Sequence, residues 1–280
     1  MMMCMESAVI SEELRQWVAE QQRQGVSKEG MLRSMLSSGW QEPMAEQVLT
    51  TLLAAVPPQP EPSPCPEPDL SSWPSSLTVG EHTVEVLLSL KQPRVVVFGH
   101  FLSDDECDEL ISLAQSRLQR SETVDEKTGG SAVHEARTSE GMFFSRGAAP
   151  LIERIEARIA ALMHWPVENG EGLQILRYRP GAQYKPHYDY FDTSLPSTSA
   201  ILRRGGQRLG TLVMYLNTPA QGGSTSFPDI GLDVLPRKGS ALFFSYPIAS
   251  TASLTLHGGS EVLAGEKWVA TKWLRQARFD

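Results

Sequence analysis

The chain has 280 residues, a formal charge of −8 and 41% apolar residues, enough for one large domain with a sizeable core and a small one beside it. The acidic balance argues against nonspecific nucleic-acid binding, which needs a basic footprint. No apolar run is long enough to cross a membrane, and the N-terminus lacks a basic region followed by an apolar stretch. Cys4, Cys65 and Cys107 have no paired spacing, so a cytoplasmic protein without a disulfide framework or zinc ribbon is expected.

The chain opens on a helical pattern. Ile10, Leu14, Trp17 and Val18 recur at helical spacing, and Gly25 offers a stop. Ser27 can cap a second helix carrying Met31, Leu32, Met35 and Leu36, which Gly39 ends. A third carries Met44, Val48, Leu49, Leu52 and Leu53. Residues 1–55 are therefore expected to form a small three-helix module with a marginal core. It is either a module that binds a protein partner or the larger domain, or a plain helical extension. Residues 56–76 hold eight of the nineteen prolines, a density that blocks helix and sheet ladders and predicts a semi-rigid linker.

From residue 77 onward the pattern changes. "RVVVFGHF" predicts a strand. "SDDECDELISLAQSRL" predicts a helix, with Ser103 and Glu106 spaced as a capping box and Leu110, Ile111, Ala114 and Leu118 on one face. Pro150 opens another helix, with Ile152, Ile155, Ile159 and Leu162 inward. After Leu173 short β-rich runs dominate: "LQILRY", "YKPHYDY", "RLGTLVMYL", "STSF", "SALFFSY", "ASLTLH" and "WVATKWLR". Turn signals such as "RPGAQ", "QGG" and "LAGE" separate them. The predicted class is α+β, an antiparallel double sheet with supporting helices. No Gly-rich phosphate loop or βαβ series is present.

Within "YKPHYDYF", His187 and Asp189 are two residues apart, and residues at i and i+2 of a strand share a face. An imidazole beside a carboxylate suits a metal with nitrogen and oxygen donors, including an iron(II) site of two histidines and one carboxylate with its opposite face open. It also suits a structural hydrogen bond. Of the other histidines, His82, His100, His134 and His164 precede the β-rich half and read as surface or locally bonded. His257 alone lies well downstream, at the end of "ASLTLH". Lys267, ten residues further on, is either an exposed hairpin lysine or, if buried, in need of a counter-anion such as a dicarboxylate.

The order HxD, "GGSTSFP", "PRKGSALFF" and "TLHGGSEVLAGEKWVATKW" resembles the collagen-type prolyl 4-hydroxylases, within the 2-oxoglutarate and iron(II)-dependent dioxygenases. The resemblance covers about residues 94–275. It implies a double-stranded β-helix (jelly-roll) core in a domain spanning 77–280. It implies His187, Asp189 and His257 as iron ligands and Lys267 at the distal carboxylate of 2-oxoglutarate, with Tyr178 and Thr225 nearby. Tyr184, Arg208 and Trp273 match positions near the peptidyl proline, with Tyr184 and Arg208 serving catalysis, and Arg137 matches an arginine bordering the substrate groove. The implied reaction uses iron(II), 2-oxoglutarate, O2 and ascorbate as reductant to hydroxylate C4 of proline in a peptide or protein. Hydroxylation of another amino acid or small metabolite, and a jelly-roll binding protein without catalysis, are the alternatives. Phe244 and Arg275 depart from the family's usual tryptophan and histidine and are expected to bear on the substrate rather than the metal. The loops at 119–136 and 190–206 are expected to close over a peptide.

Overall fold

A computed structural model gives the structure of the chain and describes residues 10–23, 28–55, 65–120, 123–124, 131–132 and 138–280. Gly25, Ser27, Cys4, His134 and Arg137 lie outside the described residues, as does most of the 119–136 loop. The chain divides into two compact units, Met1–Pro62 and Ser63–Asp280. Among the described residues no helix is long and apolar enough to cross a membrane.

In the first unit α1 (Glu12–Arg23), α2 (Lys28–Ser37) and α3 (Glu42–Ala55) bury Val18, Met31, Met35, Ala45, Val48, Leu49 and Leu52 against one another. These are the apolar positions that helical spacing brings to one face of each helix.

The second unit begins inside the proline-rich segment. Pro66 and Pro68 are buried, the Glu67 amide donates to the Met163 carbonyl at 3.0 Å, and the Glu67 carboxylate accepts from Arg94. Residues 65–68 therefore pack against the second unit. The elements that follow are β1 (Ser76–Val79), β2 (His82–Leu90), β3 (Arg94–Gly99), α4 (Asp104–Gln115), β4 (Gln119–Arg120), β5 (Thr123–Val124), β6 (Ser131–Ala132), β7 (Glu140–Phe144), α5 (Pro150–Met163), β8 (Leu173–Tyr178) and β9 (Tyr184–His187). Then come α6 (Thr198–Leu202), β10 (Arg208–Tyr215), β11 (Gln221–Gly222), β12 (Thr225–Phe227), β13 (Leu232–Val234), β14 (Ala241–Ser245), β15 (His257–Gly259), β16 (Val262–Ala264) and β17 (Lys267–Arg275).

The large sheet runs β1-β2-β3-β14-β10-β17-β8-β7-β4 and the small one β13-β12-β15-β9. Pairing within both is antiparallel, and the fold is the double-stranded β-helix. Helix α4 starts where expected: the Ser103 hydroxyl accepts from the Glu106 amide at 3.1 Å while the Glu106 carboxylate accepts from the Ser103 amide at 3.0 Å.

The central strands are buried on both faces, and their alternation decides what each face does. Leu173 and Ile175 of β8, Leu212 and Met214 of β10, and Trp268, Ala270 and Leu274 of β17 join Leu110, Ile155 and Ile159 of α4 and α5 in one apolar cluster. The intervening residues point between the sheets: Leu176 and Tyr178, Val213 and Tyr215, and Val269 meet Phe227 and Val234 of the small sheet.

The strand predictions need three corrections. β9 stops at His187, so Asp189 lies in the turn beyond it. "ASLTLH" is not one strand: Thr251–Ser253 form a 3-10 turn, capped by the Ser250 hydroxyl accepting from the Ala252 amide at 3.0 Å, and β15 starts at His257. The loop after Asp189 contains the short helix α6.

One ion pair is fully enclosed: Lys272 Nζ donates to Glu156 Oε1 at 2.5 Å, both side chains about 2% exposed. Glu156→Ala would strand the ammonium in an apolar layer, with an expected cost of about 3–5 kcal/mol. Urea unfolding followed by near-ultraviolet circular dichroism should show a lowered midpoint; an unchanged midpoint would contradict this account.

Candidate metal and cosubstrate site

The antiparallel register of β9 and β15 sets His187 directly opposite His257. The turn after β9 then brings Asp189 between them. His187 Nε2 is 3.5 Å from Asp189 Oδ1 and His257 Nε2 is 3.5 Å from Asp189 Oδ2. One donor atom from each residue falls within 4.8 Å of the others. Both imidazoles are oriented the same way: Nδ1 of His187 meets the Lys185 carbonyl at 2.9 Å and Nδ1 of His257 meets the Thr255 carbonyl at 2.9 Å. Each Nδ1 donates its proton to its carbonyl, so each Nε2 presents a lone pair to the cluster. Tyr184 stacks on His187 with centroids 3.7 Å apart, and Phe244 packs on His257 at 4.5 Å.

Electrostatics favour a cation here. Burial pushes His257 down to about 4, with His187 adding to the fall and Asp189 opposing it, so the ring is neutral near pH 7. Burial alone would raise the Asp189 carboxyl, but His257, His187 and Arg208 outweigh it and hold the acid well below its usual range. Two imidazoles and one carboxylate make the donor set of a non-haem iron(II) site.

A cavity of about 60 Å³ adjoins the cluster, and Lys267 lines it. The lysine is 3% exposed. Burial pushes its ammonium down to about 7, and no carboxylate opposes the shift. The Tyr178 and Tyr215 rings lie 5.5 and 5.7 Å from Nζ, and no described carboxylate pairs with it. A buried cation with no anion is costly, and a ligand carboxylate would supply the partner. Thr225 stands on the same wall. Its Oγ1 accepts from the Tyr215 hydroxyl at 2.8 Å, so its own proton is available to a ligand. Gly223, at φ +73°, keeps the lysine's path clear, since a Cβ there would lie 3.2 Å from Lys267 Cδ. The residues present fit both an iron(II) ion and a dicarboxylate.

Of the residues singled out in the sequence, His187, Asp189, His257, Lys267, Tyr178, Thr225, Tyr184 and Trp273 all border this cavity. Arg208 stands behind it. Its guanidinium donates to both oxygens of Glu171 at 2.6 and 2.9 Å and lies 4.0 Å from the Trp273 ring. Arg275, expected to bear on the substrate, is 1% exposed and donates to Glu171 at 3.2 Å and to the Ile201 carbonyl at 3.1 Å. Phe244 packs against the His257 ring, with centroids 4.5 Å apart. Gln174, Thr211, Tyr215 and Thr271 were missed. The first three share β8 and β10 with expected strands, and Thr271 is four residues beyond Lys267, so period-two counting would have found them on the cavity side.

Residues 173–275 match the model of the 2OG-Fe(II) oxygenase superfamily. Prolyl 4-hydroxylase 5 of Arabidopsis thaliana is 43% identical over 221 residues, spanning 71% of this chain and 74% of its own. Prolyl 4-hydroxylase 1 of the same plant is 42% identical over 230 residues, spanning 74% and 79%. Among solved structures, the viral collagen prolyl hydroxylase of Paramecium bursaria Chlorella virus-1, in its 2OG complex, is 32% identical over 65% of this chain and 95% of its own, with a TM-score of 0.49.

Removing either imidazole, as His187→Ala or His257→Ala, should abolish tight iron(II) binding in an anaerobic titration. Retention of wild-type affinity by either variant would remove that residue from the ligand set.

Proposed function

The chain belongs to the prolyl 4-hydroxylase family of the 2-oxoglutarate and iron(II)-dependent oxygenases, and from that premise we propose that it hydroxylates C4 of proline in a peptide or protein. One observation carries the reading: a cluster of two imidazoles and a carboxylate shares a cavity with a buried ammonium that has no anion.

His187, Asp189 and His257 would hold the iron, and Lys267, with Thr225 and Tyr178 beside it, would hold the far carboxylate of 2-oxoglutarate. Bound there, iron and cosubstrate supply the oxidation, consuming O2, releasing succinate and CO2 and delivering one oxygen atom to the proline C4–H bond. The chain's own residues orient and exclude water. Leu176, Val213 and Val269 form apolar walls of the cavity, which strengthens the ammonium–carboxylate pair by keeping solvent away. Tyr184 and Trp273 offer aromatic faces at the same cavity, suited to the flat, apolar ring of a proline in an extended polyproline segment. Arg208 braces Trp273 from behind.

Ascorbate as reductant belongs to the same proposal, as does a reducing cytoplasmic setting, which the free thiols of Cys65 and Cys107 support.

The direct test is incubation of proline-rich peptides with the protein, iron(II), 2-oxoglutarate and ascorbate. A gain of one oxygen on proline, with equimolar succinate, is expected by mass spectrometry. Succinate release stimulated by a small metabolite and by no peptide would overturn the substrate assignment.

Lys267→Ala should leave iron(II) binding intact and weaken 2-oxoglutarate severely. The lysine also sets a pH dependence. Its free-state pKa is about 7, and pairing with an anion raises it, so the complex holds more protons than the free protein above that pH. Affinity for 2-oxoglutarate should therefore fall as pH rises through 7, by up to about tenfold per unit. Calorimetry from pH 6.5 to 8.5 with manganese(II) in place of iron would show this with proton uptake. A flat profile would refute the buried-ammonium account.

A further inference from the structure

Asp189 is held differently from its two neighbours. Each histidine is oriented by a carbonyl two residues back in its own chain segment. The acid sits past the end of β9, and its carboxylate receives its orienting bond from another strand: the Thr211 hydroxyl of β10 lies 2.7 Å from Asp189 Oδ2. The same Thr211 oxygen is 2.8 Å from the Tyr246 hydroxyl, one residue past β14. Thr211 and Tyr246 are each 1% exposed and Asp189 is 7% exposed.

Charge fixes the direction of both bonds. An ionised carboxylate only accepts, so Thr211 must donate its single proton to Oδ2. Thr211 then has only acceptor capacity left for Tyr246, and the phenol must donate to it. Burial first, and the Asp189 charge next, push the phenol well above its usual pKa, which keeps that proton in place. The result is a one-way chain, Tyr246 to Thr211 to Asp189, in which each donor is committed.

We propose that Thr211 and Tyr246 are positioning residues for the metal centre, and that they hold Asp189 as a one-oxygen ligand. The bond from Thr211 engages one lone pair of Oδ2 and fixes the carboxylate's rotation, which favours Oδ1 as the oxygen offered to the ion. A carboxylate that rotated to give both oxygens would take a coordination position that a chelating cosubstrate or O2 needs. Outer hydrogen bonds of this kind orient ligands and typically change metal affinity by about 10–100-fold when removed. Tyr246 acts at one remove. It holds the threonine hydroxyl in the rotamer that faces the acid, through its 2.8 Å contact with Thr211. The inference rests on the metal-site reading above.

The test uses the full chain, without turnover. Anaerobic iron(II) titration should give a loss of about 10–100-fold for Thr211→Val, near wild-type affinity for Thr211→Ser, and a smaller loss for Tyr246→Phe. The double variant should bind no worse than Thr211→Val, because the phenol works only through the threonine. The visible spectrum of the cobalt(II)-substituted protein should change in Thr211→Val and be restored in Thr211→Ser. Thr211→Val with wild-type affinity and spectrum would overturn the proposal. So would fully additive losses in the double variant. If Thr211→Val fails to fold by circular dichroism, Tyr246→Phe decides: a measurable loss supports the relay and unchanged affinity overturns it. Failure of the wild-type chain to bind iron(II) would sink the site itself, whereas wild-type binding with indifferent variants would sink this inference alone.

Discussion

The site depends on strands that are buried on both faces. β8, β10 and β17 lie at the middle of the large sheet, with helices on one side and the small sheet on the other. Both faces are largely covered, so a polar side chain there is stabilised by a partner or a ligand. The helix-facing set Leu212, Met214, Trp268, Ala270 and Leu274 meets this by being apolar. Much of the opposite set is polar: Gln174, Tyr178, Thr211, Lys267 and Thr271 border one cavity. Alternation along three strands thus converts a packing rule into a reaction chamber.

Among the described residues, buried cations follow the same rule with one exception. Lys272 is paired with Glu156, and Arg208 and Arg275 share Glu171. Each of these pairs removes an otherwise heavy desolvation cost. Lys267 is equally enclosed and no carboxylate faces it. Among the described residues, three interior cations meet the chain's own acids and Lys267 does not, which supports the external anion proposed there. The departures at Phe244 and Arg275 fit this frame. Phe244 fills space against His257, and Arg275 closes an internal salt network.

Much of this was legible before any coordinates. The helices opened by Ser103 and Pro150 carry their own start signals, and "LQILRY" and "WVATKWLR" read correctly as strands because they are short apolar-rich runs bounded by turn signals. The HxD pair was found by an argument that was only partly right. Asp189 is not on the strand, and its proximity to His187 comes from a turn that no alternation pattern encodes. The strand of His257 was read too long because "ASLTLH" alternates, while Ser250 caps a 3-10 turn inside it. β1 and β2 went unseen because their burial is partial. The Thr211–Tyr246 contact joins residues 35 positions apart, and nothing local in the sequence announces it.

The division between what was legible and what was not is physical. Residues proposed for the metal and cosubstrate come from β8, β9, β12, β15 and β17 or the turn after β9, and antiparallel register sets His187 opposite His257 and Tyr178 opposite Lys267. Residues proposed for the substrate share these ladders: Tyr184 pairs with Gly259 and Trp273 with Thr211, while Arg208 begins β10 at a register shift. These pairings join segments far apart in the chain, and contacts such as Arg208 with Glu171 add a second long-range constraint, so local pattern predicts the strands but not which side chains meet. The ladders fix the reaction's residues while the loops around them are free to vary, so one scaffold can keep its reaction while its substrate changes.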